Sequence, residues 1–254
     1  TSTGAHQPLE EIGRLCRRHD ALFIVDAVTS LGGVPVEVDA WGIDACYSGT
    51  QKCLSCPPGL APLTLSDRAL AVVQGRKTPC RSWYLDLRLV FDYWADAKRT
   101  YHHTAPVSML YALREALRLI EEESLPRRFA RHALQSRALL AGLAELDLHP
   151  LPNEPHRLPT LNCVTVPPGI PEAEVRTGLL REHNIEIGGG LGPLQGRVWR
   201  IGLMGESAQP AHVLTLLGAL ETIFYRKKWM KQPGVALEAA SRVYATAAQA
   251  DHDG

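Results

Sequence analysis

The first hundred residues alternate helical periodicity with short apolar runs. Apolar side chains recur at helical spacing over residues 8–19, and acidic residues open this predicted helix, as the helix dipole favours. Residues 21–25 then form a continuous apolar run that ends at Asp26, which is typical of a strand buried on both faces. Two further strands are predicted at residues 43–48 and 59–65. Strands that alternate with helices favour an α/β fold with a doubly wound, mainly parallel sheet.

The pattern changes after residue 108. Two long helical stretches, at residues 108–120 and 124–146, replace the alternation. After a proline-rich loop the chain returns to short strands separated by helices, with strands predicted at residues 160–166, 184–187 and 198–203. This order is typical of a small α+β domain.

The end of the chain differs from both of these parts. Residues 226–254 begin with a basic run and continue into an alanine-rich segment that offers little apolar surface to bury. We expect this segment to be an atypical, mobile tail. The sequence thus predicts three parts: the C-terminal part of a large domain at residues 1–125, a small α+β domain at residues 126–225, and the tail.

Composition narrows the function classes. Of 254 residues, 45% are hydrophobic and 21% are charged, as in an ordinary globular protein, and 27 basic residues balance 27 acidic ones. The balanced net charge therefore gives no indication of binding to nucleic acid or to an acidic membrane surface. No apolar run approaches the roughly 20 residues that span a bilayer. The 10 histidines show no metal-binding spacing. The 6 cysteines are scattered, which favours a reducing compartment over a disulfide framework.

Two polar residues stand where predicted strands end. Asp26 follows the first apolar run, and Lys52 follows the second strand after a polar turn. In an open parallel sheet the ligand crevice lies at the carboxyl ends of the strands, so both side chains can face one pocket. Taken singly, Asp26 is better explained as a turn or helix-capping residue, and Lys52 as a solvated surface lysine.

Together these two residues favour pyridoxal phosphate (PLP) as a cofactor. A buried carboxylate holds the proton on the pyridine nitrogen, which makes the ring an electron sink, and the cationic ring offsets the burial of the carboxylate. A desolvated lysine amine loses its proton and becomes the nucleophile that forms a Schiff base with an aldehyde. The turn at residues 48–51 adds hydroxyls, an amide and a flexible backbone where a phosphate must be held.

The segments around these residues resemble the class V aminotransferases, which are PLP enzymes of fold type I. The similar stretches lie at residues 1–4, 7–9, 25–33, 47–52, 57–59, 84–86, 101–104, 189–193 and 200–203. They extend in family-like order to about residue 225, and the tail beyond departs from the family. The resemblance implies a partial large domain with a mainly parallel sheet plus a smaller C-terminal α+β domain. It also implies transamination of alanine or serine, with glyoxylate or pyruvate as the amino acceptor.

The resemblance assigns a role to each matching position around the cofactor. It makes Lys52 the Schiff-base lysine and the general acid/base, and it pairs Asp26 with the pyridine nitrogen. Val28 is expected to pack on the ring face, although such a valine is equally explained as a core residue. Thr1 is expected near the ring hydroxyl, and Gln51 at the phosphate.

Three further positions extend the implied site. Tyr101 and Thr104 are expected to reach the phosphate of the neighbouring subunit's cofactor, which implies a homodimer, although residues 101–104 are also explained as a polar loop. The resemblance implies that Arg200 clamps the substrate carboxylate, and a charged side chain inside an apolar run needs a partner. A redox role for the pair Cys53 and Cys56 is weakly supported, and the resemblance makes the pair incidental.

Other interpretations stay open at this point. A desulfurase or a kynureninase-like enzyme shares the fold, the cofactor and the Asp/Lys pair. Since the chain starts at Thr1 and enters a helix almost at once, we also expect an N-terminally truncated fragment, which leaves a non-catalytic form as a further alternative. The resemblance implies a peroxisomal or mitochondrial location, and no targeting signal is visible in the chain.

Overall fold

Two small three-stranded sheets organise the computed structural model, which describes residues 2–94 and 100–252. One sheet lies in the first quarter of the chain and has strand order β1-β2-β3, with strands Ile24–Asp26, Ala45–Tyr47 and Leu63–Leu65. The other lies in the second half and has strand order β4-β6-β5, with strands Leu161–Thr165 (β4), Gly188–Gly189 (β5) and Val198–Gly202 (β6). Helices separate and cover these strands.

The first sheet contains one parallel and one antiparallel pair. Strand β1 pairs in parallel with β2, with Asp26 opposite Tyr47, and β3 runs antiparallel to β2. Helix α1, Leu9–Arg18, packs against the buried side chains of Phe23 and Val25 through Leu9 and Ile12. The parallel arrangement predicted from the sequence is therefore seen for β1 and β2 only, because β3 returns to the sheet without a crossover helix.

Two short helices follow the first sheet, and the sequence pattern did not predict either. Helix α2, Asp67–Gln74, begins at Ser66, whose hydroxyl accepts a hydrogen bond from the Ala69 amide at 3.1 Å. Helix α3, Leu87–Trp94, has no fully buried side chain. Each helix spans only eight residues, which is too short for helical periodicity to reveal it.

Two long helices then follow, as the sequence predicts. Helix α4, Val107–Glu123, and helix α5, Leu125–Ala144, meet at Ser124, whose φ of 68° breaks the helical path. Pro126 occupies the first turn of α5, where a missing amide hydrogen leaves no bond unmade. Helix α5 has eight buried residues and is the more deeply buried of the two helices.

The second sheet carries the larger core. Strand β6 lies in the middle, antiparallel to both neighbours, and its Trp199 is fully buried. Helices α6, Glu172–His183, and α7, Pro210–Arg226, cover this sheet through residues such as Leu179 and Phe224. The prediction of a strand at residues 184–187 is wrong. Asn184 ends α6 in a left-handed conformation, and strand pairing with β6 starts only at Gly188.

The C-terminal segment also departs from expectation. Residues 235–252 form helix α8, Val235–His252, and small alanines such as Ala236 and Ala240 are fully buried in the core beside α5. The expectation of a segment with little apolar surface to bury is therefore wrong for this helix, because alanine lets two helices approach closely. The argument that predicted a mobile segment therefore does not apply to residues 235–252. The domain boundaries at residues 125 and 225 stay a proposal.

Among the described residues, none of these helices combines the length and apolarity needed to cross a membrane.

Candidate active site

Asp26 lies at the carboxyl end of β1, and two donors hold its carboxylate. Its Oδ1 accepts a hydrogen bond from the Val28 amide at 2.8 Å, and its Oδ2 accepts one from the Tyr47 hydroxyl at 3.0 Å. The first contact orients the carboxylate against its own turn, and the second crosses to the neighbouring strand. Asp26 is exposed in this chain, whereas the sequence argument expected a buried carboxylate.

Sequence reasoning missed Tyr47 as a member of this site. Its hydrogen bond to Asp26 raises the pKa of the Tyr47 phenol, with burial and the nearby charge adding to the effect. A tyrosine that keeps its proton is a dependable donor, so its hydroxyl can orient the Asp26 carboxylate. The signal that could have revealed it was the strand register, since Tyr47 lies directly opposite Asp26.

The loop after β2 carries Lys52 to the same edge of the sheet. The Ser48 hydroxyl donates to the Ala27 carbonyl at 3.1 Å, and the Thr50 hydroxyl donates to the Pro57 carbonyl at 2.9 Å, so both stabilise the loop. The Lys52 carbonyl accepts from the Ser55 amide at 2.9 Å, which closes a turn directly after the lysine. Lys52 is half-buried, and its ammonium lies in no ion pair with a described residue.

The remaining residues predicted to bind the cofactor differ in how far they are buried. Val28 is half-buried in the turn after Asp26, and Gln51 is exposed beside Lys52. The Gln51 side chain folds back over Gly49, where a Cβ would lie 2.7 Å from its Oε1. Thr1 lies outside the described residues.

Arg200 lies at the centre of the second sheet, on β6 between Cys163 of β4 and Gly188 of β5. Its Nε donates to the Gly189 carbonyl at 2.7 Å, which fixes the plane of the guanidinium. No carboxylate of the described ranges, 2–94 and 100–252, forms an ion pair with it. A half-buried guanidinium in this state is suited to bind an anion.

Tyr101 and Thr104 occupy a separate, exposed segment. Their hydroxyls share a hydrogen bond of 2.7 Å, and Tyr101 is 70% exposed. The segment is anchored by His102, which is buried, stacks on the Trp83 ring at 4.1 Å and shares a hydrogen bond of 3.0 Å with the Trp83 carbonyl. The structure shows no contact between this segment and Asp26 or Lys52 of the same chain.

The two cysteines after Lys52 are free and buried. Burial raises the pKa of the Cys53 thiol to about 11, and its Sγ faces the Thr29 carbonyl at 3.5 Å. Such a thiol is poorly reactive because the nucleophile is the thiolate. This position argues against the mobile catalytic cysteine that a desulfurase needs.

Comparison with known proteins decides the family. A sequence profile described as aminotransferase class-V matches residues 1–196, which is most of the chain. This chain belongs to the class-V aminotransferases. The resemblance inferred from the sequence motifs is thereby confirmed, as is the fold-type-I class. Aminotransferases of this family and fold depend on PLP.

Two curated relatives show how much of a class-V aminotransferase is present. The (S)-ureidoglycine–glyoxylate transaminase of Bacillus subtilis is 43% identical over 265 aligned positions, which cover 97% of this chain and 64% of the relative. The alanine–glyoxylate aminotransferase of Rattus norvegicus is 44% identical over 211 positions, which cover 82% of this chain and 51% of the relative. The chain thus spans between half and two thirds of these relatives.

A solved structure agrees with this relationship. The crystal structure of the B. subtilis ureidoglycine–glyoxylate aminotransferase superposes with a TM-score of 0.91 at 45% identity, over 96% of this chain and 63% of that one. An alignment of this extent includes most of residues 226–254. The expectation that this tail departs from the family is therefore corrected, since a class-V relative shares it.

The chemistry of the described residues fits the family's cofactor. The Asp26 carboxylate keeps an acceptor edge toward solvent beside the Tyr47 donor, and Lys52 has an amine without an ionic partner at the same carboxyl edge of the parallel pair. Arg200 adds an unpaired guanidinium. These are the groups that a pyridine nitrogen, an aldehyde and a carboxylate require.

Proposed function

We propose that this chain forms part of a PLP-dependent aminotransferase that transfers an amino group to glyoxylate or pyruvate. The observation that carries the proposal is the placement of Asp26 and Lys52 at the carboxyl ends of a parallel strand pair, within a chain of the class-V family. When bound, PLP supplies an electron sink for the negative charge that develops at the substrate Cα.

Different residues of the chain are proposed to hold and to transfer protons. The Asp26 carboxylate holds the proton of the pyridine nitrogen, with Tyr47 and the Val28 amide fixing its two oxygens. The Lys52 Nζ would hold the cofactor covalently and, as a free amine, would move the proton at the substrate Cα. Val28 packs on the ring face, Thr1 lies near the ring hydroxyl, and Gln51 helps to hold the phosphate.

Arg200 binds the α-carboxylate shared by amino and keto acids. A planar fork with two free N–H groups recognises a carboxylate through two parallel hydrogen bonds. The Nε bond to Gly189 leaves the outer nitrogens available for this task. The residue therefore selects α-amino acids over simple amines without selecting among them.

Alanine or serine is the proposed amino donor, on the strength of the family resemblance. A second candidate donor is (S)-ureidoglycine, since the B. subtilis transaminase named for it aligns over 97% of this chain, including most of the C-terminal segment, against 82% for the rat alanine–glyoxylate enzyme. With glyoxylate as the common acceptor, the kcat/KM values for the two donors decide between them.

Tyr101 and Thr104 are proposed to act in a homodimer, at the phosphate of the neighbouring subunit's cofactor. Their exposed, mutually bonded hydroxyls and their separation from Asp26 and Lys52 support this assignment. A peroxisomal or mitochondrial location stays a prediction from the resemblance.

The test combines cofactor binding with turnover. PLP added to the purified chain is expected to give a Schiff-base absorbance band that borohydride abolishes, and alanine with glyoxylate is expected to release pyruvate. Lys52→Ala should remove the band, whereas Lys231→Ala, a change at an exposed lysine, should keep it. A band without pyruvate would contradict the alanine assignment, and no band would indicate the non-catalytic alternative.

A further inference from the structure

A group of ionisable side chains, two of them buried, lies between the Lys52 loop and the second sheet. It consists of Glu123 at the end of α4 with Arg128, Arg131 and His132 on α5, here called the Arg128 cluster. Arg128 is only 4% exposed and His132 is fully buried. Buried charges need complete hydrogen bonding, so the partners of this cluster indicate what it is built to hold.

One side of the cluster holds the turn that follows Lys52. Arg128 Nη2 donates to the Cys53 carbonyl at 2.5 Å and to Ser55 Oγ at 3.4 Å. Its Nε donates to the Gly32 carbonyl at 3.0 Å. Because the Ser55 amide bonds back to the Lys52 carbonyl, a single guanidinium contacts two residues, Cys53 and Ser55, of the turn that begins at the lysine.

The other side holds the loop after β6, the strand that carries Arg200. Arg131 Nη1 donates to the carbonyls of Gly205 and Ala208 at 2.9 and 2.8 Å. The Gly205 amide donates to His132 Nε2 at 2.9 Å, so the proton of the neutral ring lies on Nδ1 and is donated to the Arg128 carbonyl at 2.7 Å. Glu123 joins the two halves by accepting from both arginines, at 2.6 Å from Arg128 and 2.5 Å from Arg131.

The two loops also touch directly at this point. Ser55 Oγ accepts a hydrogen bond from the Glu206 amide at 2.8 Å. A Cβ at Gly205 would lie 1.8 Å from Ser55 Oγ and 3.0 Å from the Cys53 carbonyl oxygen, so only glycine permits this approach. The junction is thus tightly fitted on both sides.

We propose that Arg128 is a positioning residue, and that the Arg128 cluster fixes the separation between Lys52 and Arg200. Cys53, whose carbonyl accepts from Arg128, directly follows Lys52 in the chain, and the Arg131 contacts at Gly205 and Ala208 lie within six residues of the end of the Arg200 strand. The assignment of Lys52 and Arg200 to one ligand rests on the proposed function. The mechanical link between their loops rests on the contacts alone.

The first measurement does not depend on PLP. In the cofactor-free full chain, the rate of thiol alkylation at Cys53, which is fully buried beside the turn, reports opening of the junction, and Cys163 of β4 reports general unfolding. Arg128→Lys and Ser55→Ala each remove part of the junction and should raise the Cys53 rate about tenfold, as expected for one lost charged or buried hydrogen bond. The Cys163 rate should not change.

Matched controls are available in helices α5 and α8. Arg137→Lys and Ser241→Ala change exposed residues of the same types and should leave both rates unaltered. Ser55→Ala keeps the test decisive if Arg128→Lys does not fold. Equal acceleration at Cys53 and Cys163, or none at either, would overturn the proposal.

The second measurement connects the junction to Lys52. Titration of PLP, followed by borohydride and quantitation of labelled Lys52, should show a severalfold weaker midpoint for both junction variants than for the controls. Selective Cys53 exposure with an unchanged midpoint would overturn the positioning role. If the parent chain itself forms no Lys52 adduct, the proposed function fails, and the alkylation rates then decide the link between the two loops.

Discussion

The hydroxyl of Tyr47 donates a hydrogen bond of 3.0 Å to Oδ2 of Asp26, across the one parallel strand pair found in the described part of the chain. The Val28 amide binds the other carboxylate oxygen at 2.8 Å. Both oxygens are therefore oriented by the protein before any ligand arrives. The strand register places Tyr47 opposite Asp26, and so supplies a donor that orients the carboxylate for its expected role.

Removing the Tyr47 hydroxyl should weaken PLP binding. Tyr47→Phe takes away one of the two donors to Asp26 and should lower PLP affinity about five- to tenfold, which corresponds to about 1 kcal/mol, the net contribution of a typical hydrogen bond. Fluorescence titration of the cofactor-free chain measures the change. Tyr225→Phe alters another exposed tyrosine and serves as the control. Equal affinities for Tyr47→Phe and parent would show that Tyr47 does not support Asp26.

Replacing the Arg200 guanidinium by an ammonium group should affect substrate binding more than cofactor binding. Arg200→Lys keeps the charge but loses the planar fork, so kcat/KM for the amino donor should fall about 30- to 100-fold, equivalent to about 2–3 kcal/mol. The PLP titration should stay unchanged. The exposed Arg197→Lys, in the turn before β6, is the matched control. A loss confined to PLP affinity would contradict the carboxylate role.

The stability of the chain should decrease as the pH falls through the histidine range. Burial, helped by the nearby charges of Arg131 and Arg128 and opposed by Glu123, lowers the pKa of His132 from its ordinary value of 6.5. The unfolded chain therefore binds a proton before the native state does. The stability that neutral His132 contributes is complete above pH 6.5 and is lost as the pH falls toward the lower folded value.

The free energy of unfolding between about pH 7.5 and about pH 5.5 tests this sign. Burial also lowers the pKa of His6, so the comparison is best made in a His6→Gln background. There, His132→Gln should flatten the pH dependence. An unaltered slope would show that His132 is not held neutral by its two hydrogen bonds.

The C-terminal helix should depend on one buried carboxylate. Glu221 of α7 is 4% exposed and accepts hydrogen bonds from the Gly234 and Ala236 amides at 2.9 and 2.7 Å, at the start of α8. Glu221→Ala leaves these donors unsatisfied and should lower the free energy of unfolding by about 2–3 kcal/mol. Glu145→Ala, at an exposed position, should change it little. Similar losses for both variants would rule out a specific capping role.

The sequence revealed the residues of the candidate site more completely than their surroundings. Asp26, Lys52 and Arg200 could be found because each is a charged residue at an apolar strand or at its end. Tyr47 could not, because its role depends on strand register rather than on local pattern. The Arg128 cluster was equally hidden, since its partners lie up to 96 positions away in the chain, at Gly32.

The fold followed the sequence where periodicity was strong. Helices α4 and α5 were predicted within a few residues, whereas α2 and α3 span only eight residues each, too few for the periodicity to show, and were missed. Helix α8 was misjudged for a different reason. Its buried face consists largely of alanine, which contributes little to a hydrophobicity pattern yet allows close packing on α5.

The central claim is that Lys52 is the lysine that binds PLP. The most direct measurement is peptide mass spectrometry after incubation of the full chain with PLP and reduction by borohydride. The account predicts a phosphopyridoxyl group on the peptide that contains Lys52, in competition with the other lysines of the chain. A modification spread over exposed lysines such as Lys77 and Lys231, with Lys52 unlabelled, would contradict it.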